Sequence, residues 1–214
     1  MNNALLTRLL AHWPTKLWLG ALLTFVFCCG YFAIQYYRLR PALQFELTFI
    51  DRAVPFAPQW TWVYQSVYLL LPFAWLCESK DQLRRYAVGY VVVALFGFAC
   101  FAWWPVAGPR PAELPDVGLY RVLVSYDTPL NSFPSLHLAW ATYSACVALV
   151  VTDGALRRWL LRLLPLWVAL IGYATLATKQ HYFVDLPPGI ALGWLAQRLA
   201  WRNAVSRWVE QGAL

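Results

Sequence analysis

The chain has 214 residues, of which 61% are hydrophobic, 17% aromatic and only 13% charged, with a net charge of +7. That balance is too apolar for a soluble domain of this length and places the chain in a bilayer, where basic residues flank hydrophobic spans rather than bind nucleic acid. Its five cysteines, Cys28, Cys29, Cys77, Cys100 and Cys146, fall inside apolar segments, where thiols pack as small apolar groups and imply neither a disulfide framework nor a metal site.

A spanning helix needs about twenty mostly apolar residues. At the N-terminus, Leu5, Leu6, Leu9, Leu10 and Trp13 form an apolar stripe flanked by Arg8, His12 and Lys16, which predicts a short helix lying along the membrane surface. The first span covers residues 17–37. It is longer than the core of a secretory signal and lacks a cleavage pattern, so it is read as retained. Residues 38–59 carry Leu43, Phe45, Leu47, Phe49 and Ile50, an interfacial segment whose periodicity leaves helix and strand both open.

The second and third spans are residues 60–77 and 86–104, with tryptophans such as Trp60, Trp62, Trp103 and Trp104 at their ends, as an aromatic belt requires. Residues 112–130 form an outer loop, expected to cover a site as a lid. The last three spans are residues 136–152, 159–178 and 186–201. Gly189 and Gly193 in the sixth suit close helix packing. A second stripe of Trp201, Val205, Trp208 and Val209, beside Arg198, Arg202 and Arg207, anchors the C-terminus. The expected fold is all-α: one polytopic membrane domain over residues 1–214, with six transmembrane helices and short interfacial helices at the termini.

With six spans, both termini and the loops at 78–85 and 153–158 share one side. That side holds eleven Lys and Arg and the other holds six, so the positive-inside rule puts the termini in the cytosol. Two of the three histidines then face outward, in Asn131-Ser132-Phe133-Pro134-Ser135-Leu136-His137 and Thr178-Lys179-Gln180-His181-Tyr182-Phe183-Val184-Asp185. Ionisable residues kept beside the hydrocarbon layer mark functional sites by default. The turn after the third span, which contains Arg110, converges on the same face.

Each of these residues also has a plain structural reading. Asp185 suits the cap of the sixth helix, Pro134 and Ser135 read as an ordinary helix start, and Arg110 and Lys179 can anchor loops to lipid phosphates. Capping and orienting a histidine are compatible roles for Asp185. His181 also reads as an interfacial histidine satisfied by a neighbour, and His12 has no partner motif and stays a surface residue. His181 and Asp185 lack the further ligands that a catalytic metal needs, and no nucleotide-binding loop is present, so no cofactor is expected.

In order and spacing, Arg110-Pro111, Pro134-Ser135-Leu136-His137 and His181-x3-Asp185 resemble the three signature motifs of the type-2 phosphatidic acid phosphatase superfamily. Residues 178–182 are most similar to the branch that includes inositol-phosphorylceramide synthases and their bacterial relatives. The resemblance implies a metal-independent membrane enzyme: a lipid phosphatase that cleaves a lipid-linked phosphate or diphosphate ester, or a phosphotransferase that passes a phospho-headgroup to an alcohol. It makes His181 the nucleophile that forms a phosphohistidine, Asp185 its orienting partner and His137 the general acid and base. Arg110, Ser135 and Lys179 are then the phosphate-binding residues.

The partners it implies are a lipid phosphate and the bilayer, with no nucleic acid. The localisation it implies is a bacterial inner membrane, termini cytoplasmic, with the site facing the periplasm or the outside. Two cations of the usual pattern are missing: Trp103 stands where the first motif has Lys, and Ala174 and Thr175 where the third has Ser-Arg. Lys179 is offered as a replacement. A site with so few cations suits a singly charged phosphodiester donor or a neutral acceptor better than a phosphomonoester, which carries about −1.5 to −2 charges. A lipid-binding protein without activity is the remaining alternative.

Overall fold

The computed structural model describes residues 3–37, 39–69 and 71–210, with side chains over 5–37, 39–69 and 72–202. Among these residues the regular structure is helical, with two isolated bridges and no strand. Helix α1 (Asn3–Leu10) sets Leu5 and Leu9 against the core and leaves Leu6 and Leu10 exposed, the one-sided pattern of a surface helix. Helix α2 (Trp13–Tyr36) starts earlier than the apolar run because Pro14 fits its first turn. From residue 39 the chain has no regular structure apart from a bridge at Leu43 until a capping box of Thr48 and Asp51 opens α3 (Phe49–Ala53), so residues 39–59 are partly irregular and partly helical.

Residues 60–77 do not form one continuous helix, as a single transmembrane helix there would require. They break into the 3-10 turn Pro58–Trp60, α4 (Thr61–Gln65) and the 3-10 stretches Ser66–Leu69 and Leu71–Leu76. Local competition accompanies the breaks: the Ser66 hydroxyl donates to the Val63 carbonyl at 2.6 Å where α4 ends, and Pro72 removes a backbone donor within Leu71–Leu76. The remaining helices are α5 (Lys80–Trp103), α6 (Gly118–Tyr126), α7 (Leu136–Val151), α8 (Gly154–Ala177) and α9 (Leu186–Glu210). Of the described helices, α2, α5 and α8 are long and apolar enough to cross a membrane, and α7 is a shorter apolar helix. The side chains of Val205, Arg207, Trp208 and Val209 lie outside the described residues, and with them most of the expected C-terminal stripe.

The core is organised around α7, which is buried on almost every face. Its neighbour α9 approaches it backbone to backbone: a Cβ on Gly189 would strike the Ser135 carbonyl, and one on Gly193 the Ala139 carbonyl. Tyr143 of α7 donates its hydroxyl to the Tyr86 carbonyl of α5 at 2.7 Å, and its ring covers Gly89, where any Cβ would clash. At one end of the bundle Arg8 pairs with Glu78 at 3.0 Å and Asp153 at 3.1 Å. This joins three of the segments assigned to the basic side. The C-termini of α5 and α8 and the N-termini of α7 and α9 meet at the other end, with the motif residues.

Gly193→Val is expected to cost about 1–3 kcal/mol, the usual penalty for overpacking a tight contact, seen as a lower melting midpoint in detergent. Gly20→Ala, where a Cβ meets nothing within 4 Å, is expected to leave the midpoint unchanged or raise it through helix propensity. Equal effects would contradict the α7 and α9 contact.

Candidate active site

The nucleophile candidate is delivered by the way α8 ends. Gln180 N–H donates to the Thr175 carbonyl at 3.1 Å and Lys179 N–H to the Leu176 carbonyl at 3.1 Å, the bond pair of a Schellman motif. The left-handed residue such a motif needs is Lys179, with φ 54°, where glycine is usual and a side chain costs about 1–2 kcal/mol. Its ammonium donates to the carbonyls of Asp51 at 2.8 Å and Val54 at 2.6 Å, two bonds that offset the strain and satisfy the exposed end of α3. Desolvation lowers the Lys179 pKa, opposed by the nearby Asp51. The turn leaves Gln180 and His181 pointing into the molecule.

His181 is buried, with Nδ1 2.8 Å from the Ser132 carbonyl and 3.4 Å from Asp185 Oδ2. A carbonyl only accepts, so Nδ1 carries the proton and Nε2 keeps the lone pair. Asp185 stands behind the ring, at the end of the 3-10 turn Phe183–Asp185 that enters α9. Its Oδ2 accepts from the Tyr182 N–H at 2.8 Å and from the Ser132 hydroxyl, and its own carbonyl accepts from the Ser135 N–H at 3.1 Å. Asp185 Oδ1 is buried with no hydrogen-bond partner.

His137 opens α7, one turn of which is held by the Ser135 side chain accepting from the Leu138 N–H at 3.4 Å. Its ring stacks on Tyr64 with centroids 3.9 Å apart and lies 5.9 Å from the His181 ring. His137 Nε2 is buried without a hydrogen-bond partner, a costly state for a polar atom that a bound ligand would relieve.

Arg110 follows α5 through an extended stretch in which Val106 bridges both Leu43 and Asn131. Its Nε donates to Gln180 Oε1 at 3.0 Å, Nη1 to the Asp127 carbonyl at 2.7 Å and Nη2 to Asp127 Oδ2 at 3.1 Å. Asp127 Oδ1 also accepts from the Tyr31 hydroxyl at 2.6 Å and from Gln35 Nε2 at 3.2 Å. Burial nevertheless raises the Asp127 pKa, outweighing the lowering effects of Tyr31 and Arg110.

A cavity of about 640 Å³ connects these groups, its polar end lined by His137, His181, Arg110, Gln180, Asp127 and Thr128. Of the six residues expected at the site, His181, His137 and Arg110 share this cavity and Asp185 backs His181. Ser135 acts as the cap of α7, and Lys179 turns away to α3. The 112–130 segment contributes α6 and the wall residues Leu123, Tyr126 and Asp127. At the positions where the usual motif cations are missing, Trp103 lies under the Arg40 guanidinium at 5.4 Å, and the Thr175 hydroxyl donates to the Gly172 carbonyl at 2.7 Å. Sequence reasoning gave no role to Asp127, Gln180, Tyr64 or Ser132. Ser132 and Gln180 stood inside the two histidine strings, and Asp127 lay in the outer loop without a motif around it.

Apolar helices surrounding a cavity that joins two histidines to an arginine at one end define a membrane protein with a concentrated polar site. The sequence model of the PAP2 superfamily matches residues 37–199, and the chain belongs to that superfamily. Membership points to phosphatase or phosphotransferase activity. No curated protein and no solved structure matches the chain.

A carboxyl whose pKa is raised on folding binds its proton more tightly in the native state than in the unfolded one. Stability from Asp127 is therefore greatest near and below the ordinary carboxylate value of 3.8 and falls as pH climbs through the raised native value. Asp127→Asn cannot titrate. Its melting midpoint is expected to gain on that of the native chain as pH rises from acid towards neutral, and a constant difference across that interval would contradict the placement of Asp127.

Proposed function

We propose that the chain is a lipid phosphoesterase that works through a phosphohistidine on His181. The observation that carries this reading is the pairing of the two imidazoles, 5.9 Å apart at one cavity, with His181 Nδ1 held by the Ser132 carbonyl at 2.8 Å. In the first step Nε2 attacks phosphorus in line, the N–P bond forms and the P–O bond to the lipid breaks. His137 gives its proton to the departing oxygen. In the second step His137 takes a proton from water, which attacks the phosphohistidine and releases phosphate. Asp185 stabilises the cation that develops on His181, and Arg110 binds the phosphoryl oxygens as it exchanges its contacts with Asp127 and Gln180 for the substrate. The chemistry assigned here uses no metal.

Membrane placement follows the same reading. The apolar segments α2, 60–77, α5, α7, α8 and α9 make six crossings, both termini lie in the cytoplasm, and the histidines face the periplasm or outside of a bacterial inner membrane. The grouping of Arg8, Glu78 and Asp153 at the end opposite the site supports this arrangement, as does the excess of basic residues in those segments.

The charge of the cavity favours a second reading. Arg110 is already compensated by Asp127, and the Lys179 ammonium is spent on α3. Little positive charge remains to hold a dianion. A singly charged phosphodiester donor, with its phospho-headgroup passed from His181 to an alcohol as in the inositol-phosphorylceramide-synthase-like branch, fits that balance.

Purified protein in detergent, given lipid phosphomonoesters, lipid diphosphates and phospholipid diesters, distinguishes the two by free phosphate against new phospholipid. His181→Ala is expected to abolish turnover and His137→Ala to lower kcat by about 10²–10⁴-fold, with a chelator leaving the native rate unchanged. Full turnover in His181→Ala would overturn the phosphohistidine, and no turnover in the native protein, with lipid affinity unchanged by His181→Ala, would leave only a lipid-binding role.

A further inference from the structure

The cavity does not stop at the histidines. It continues along α2, where Lys16, Leu19, Gly20, Leu23, Phe27 and Tyr31 line it at helical spacing. From Lys16 to Tyr31 the helix rises by about 22 Å, against a hydrocarbon core of about 30 Å. The passage is therefore deeper than a single leaflet.

Beyond the polar end its walls are chiefly aliphatic and aromatic, the lining that keeps a cavity dry and open to apolar ligands. Lys16 closes the deep end without offering charge to a ligand. It is 3% exposed, and its ammonium donates to the Arg8 carbonyl at 2.6 Å and the Trp75 carbonyl at 2.8 Å while lying 5.9 Å over the Trp75 ring. Those bonds tie α1, α2 and the 3-10 stretch Leu71–Leu76 into a floor. Gly20 sits one turn above it on the lining face, exposed, and a Cβ there meets nothing within 4 Å. The family match begins only at residue 37, so this wall belongs to a part of the chain that the match does not cover.

We infer that the hydrocarbon tail of the substrate lies inside the protein along this face of α2, and that the open space at Gly20 and the floor at Lys16 and Trp75 set the longest tail accepted. The inference rests on the phosphoester reading and adds the reach of the tail: a phosphate ester whose hydrocarbon chain extends past the bilayer midplane.

The test is a series of single-chain alkyl and prenyl phosphates of increasing length, scored as kcat/KM for the native protein, Gly20→Phe, Leu23→Trp and Ala21→Phe. The native value is expected to rise with length and then level off. Gly20→Phe and Leu23→Trp are expected to move that limit to shorter tails, by about tenfold in the long-to-short ratio for every two methylenes excluded. Ala21 is exposed and outside the lining, so Ala21→Phe keeps the native ratio. An unchanged ratio in both lining variants overturns the tail channel, even with phosphate still released. If no phosphate is released from any member, hydrolysis of phosphomonoesters fails alone, and equilibrium affinities for the same series then decide the channel by the same ratio.

Discussion

A buried carboxylate needs hydrogen bonds, and Asp185 takes them through Oδ2 in a way that assembles the histidine side of the polar end. Its Oδ2 draws in the Tyr182 N–H and the Ser132 hydroxyl, and its carbonyl holds the Ser135 N–H. The segment that leads into α7 is thereby fastened to the segment that leads into α9. Ser132, fixed through its side chain, presents its carbonyl to His181 Nδ1. One acid thus sets the position of the nucleophile candidate twice, directly at 3.4 Å and through Ser132. The close approach of α9 to α7 at Gly189 and Gly193 serves the same end, because it keeps His137 within reach of His181.

Much of this was legible from the chain. The two histidine strings, Arg110 and the Asp185 spacing named the residues that meet at the cavity, because motifs at helix ends depend on local order and survive in a one-dimensional reading. The α7 and α9 packing was visible in the two glycines. Other features depended on tertiary partners and were hidden. Lys179 read as a phosphate-binding cation, yet its left-handed backbone and the free carbonyls of α3 draw its ammonium away. Ser135 read both as a helix start and as a phosphate ligand, and its oxygen accepts from the Leu138 N–H as a cap of α7. Residues 60–77 are apolar enough for a span, but hydropathy carries no information on the backbone competition from Ser66 and the lost donor at Pro72 that accompany their short turns.

The electrostatics of the site follow from where the cations went. With Trp103 and Thr175 at positions where the family pattern has basic residues, Arg110 is the one cation at the polar end of the described cavity, and Asp127 shares it. Asp127 in turn rests on Tyr31 and Gln35 of α2. The helix that walls the apolar passage therefore also holds the acid paired with Arg110, so the apolar and polar halves of the cavity are joined through α2.

The central claim is that phosphorus is passed through His181 in two displacements rather than transferred in one. The stereochemical course at phosphorus tests this directly, using a lipid ester whose phosphoryl group is made chiral with oxygen isotopes and an alcohol as acceptor. Two in-line displacements predict retention of configuration in the product. Inversion would mean a single direct transfer, and the phosphohistidine account would be wrong.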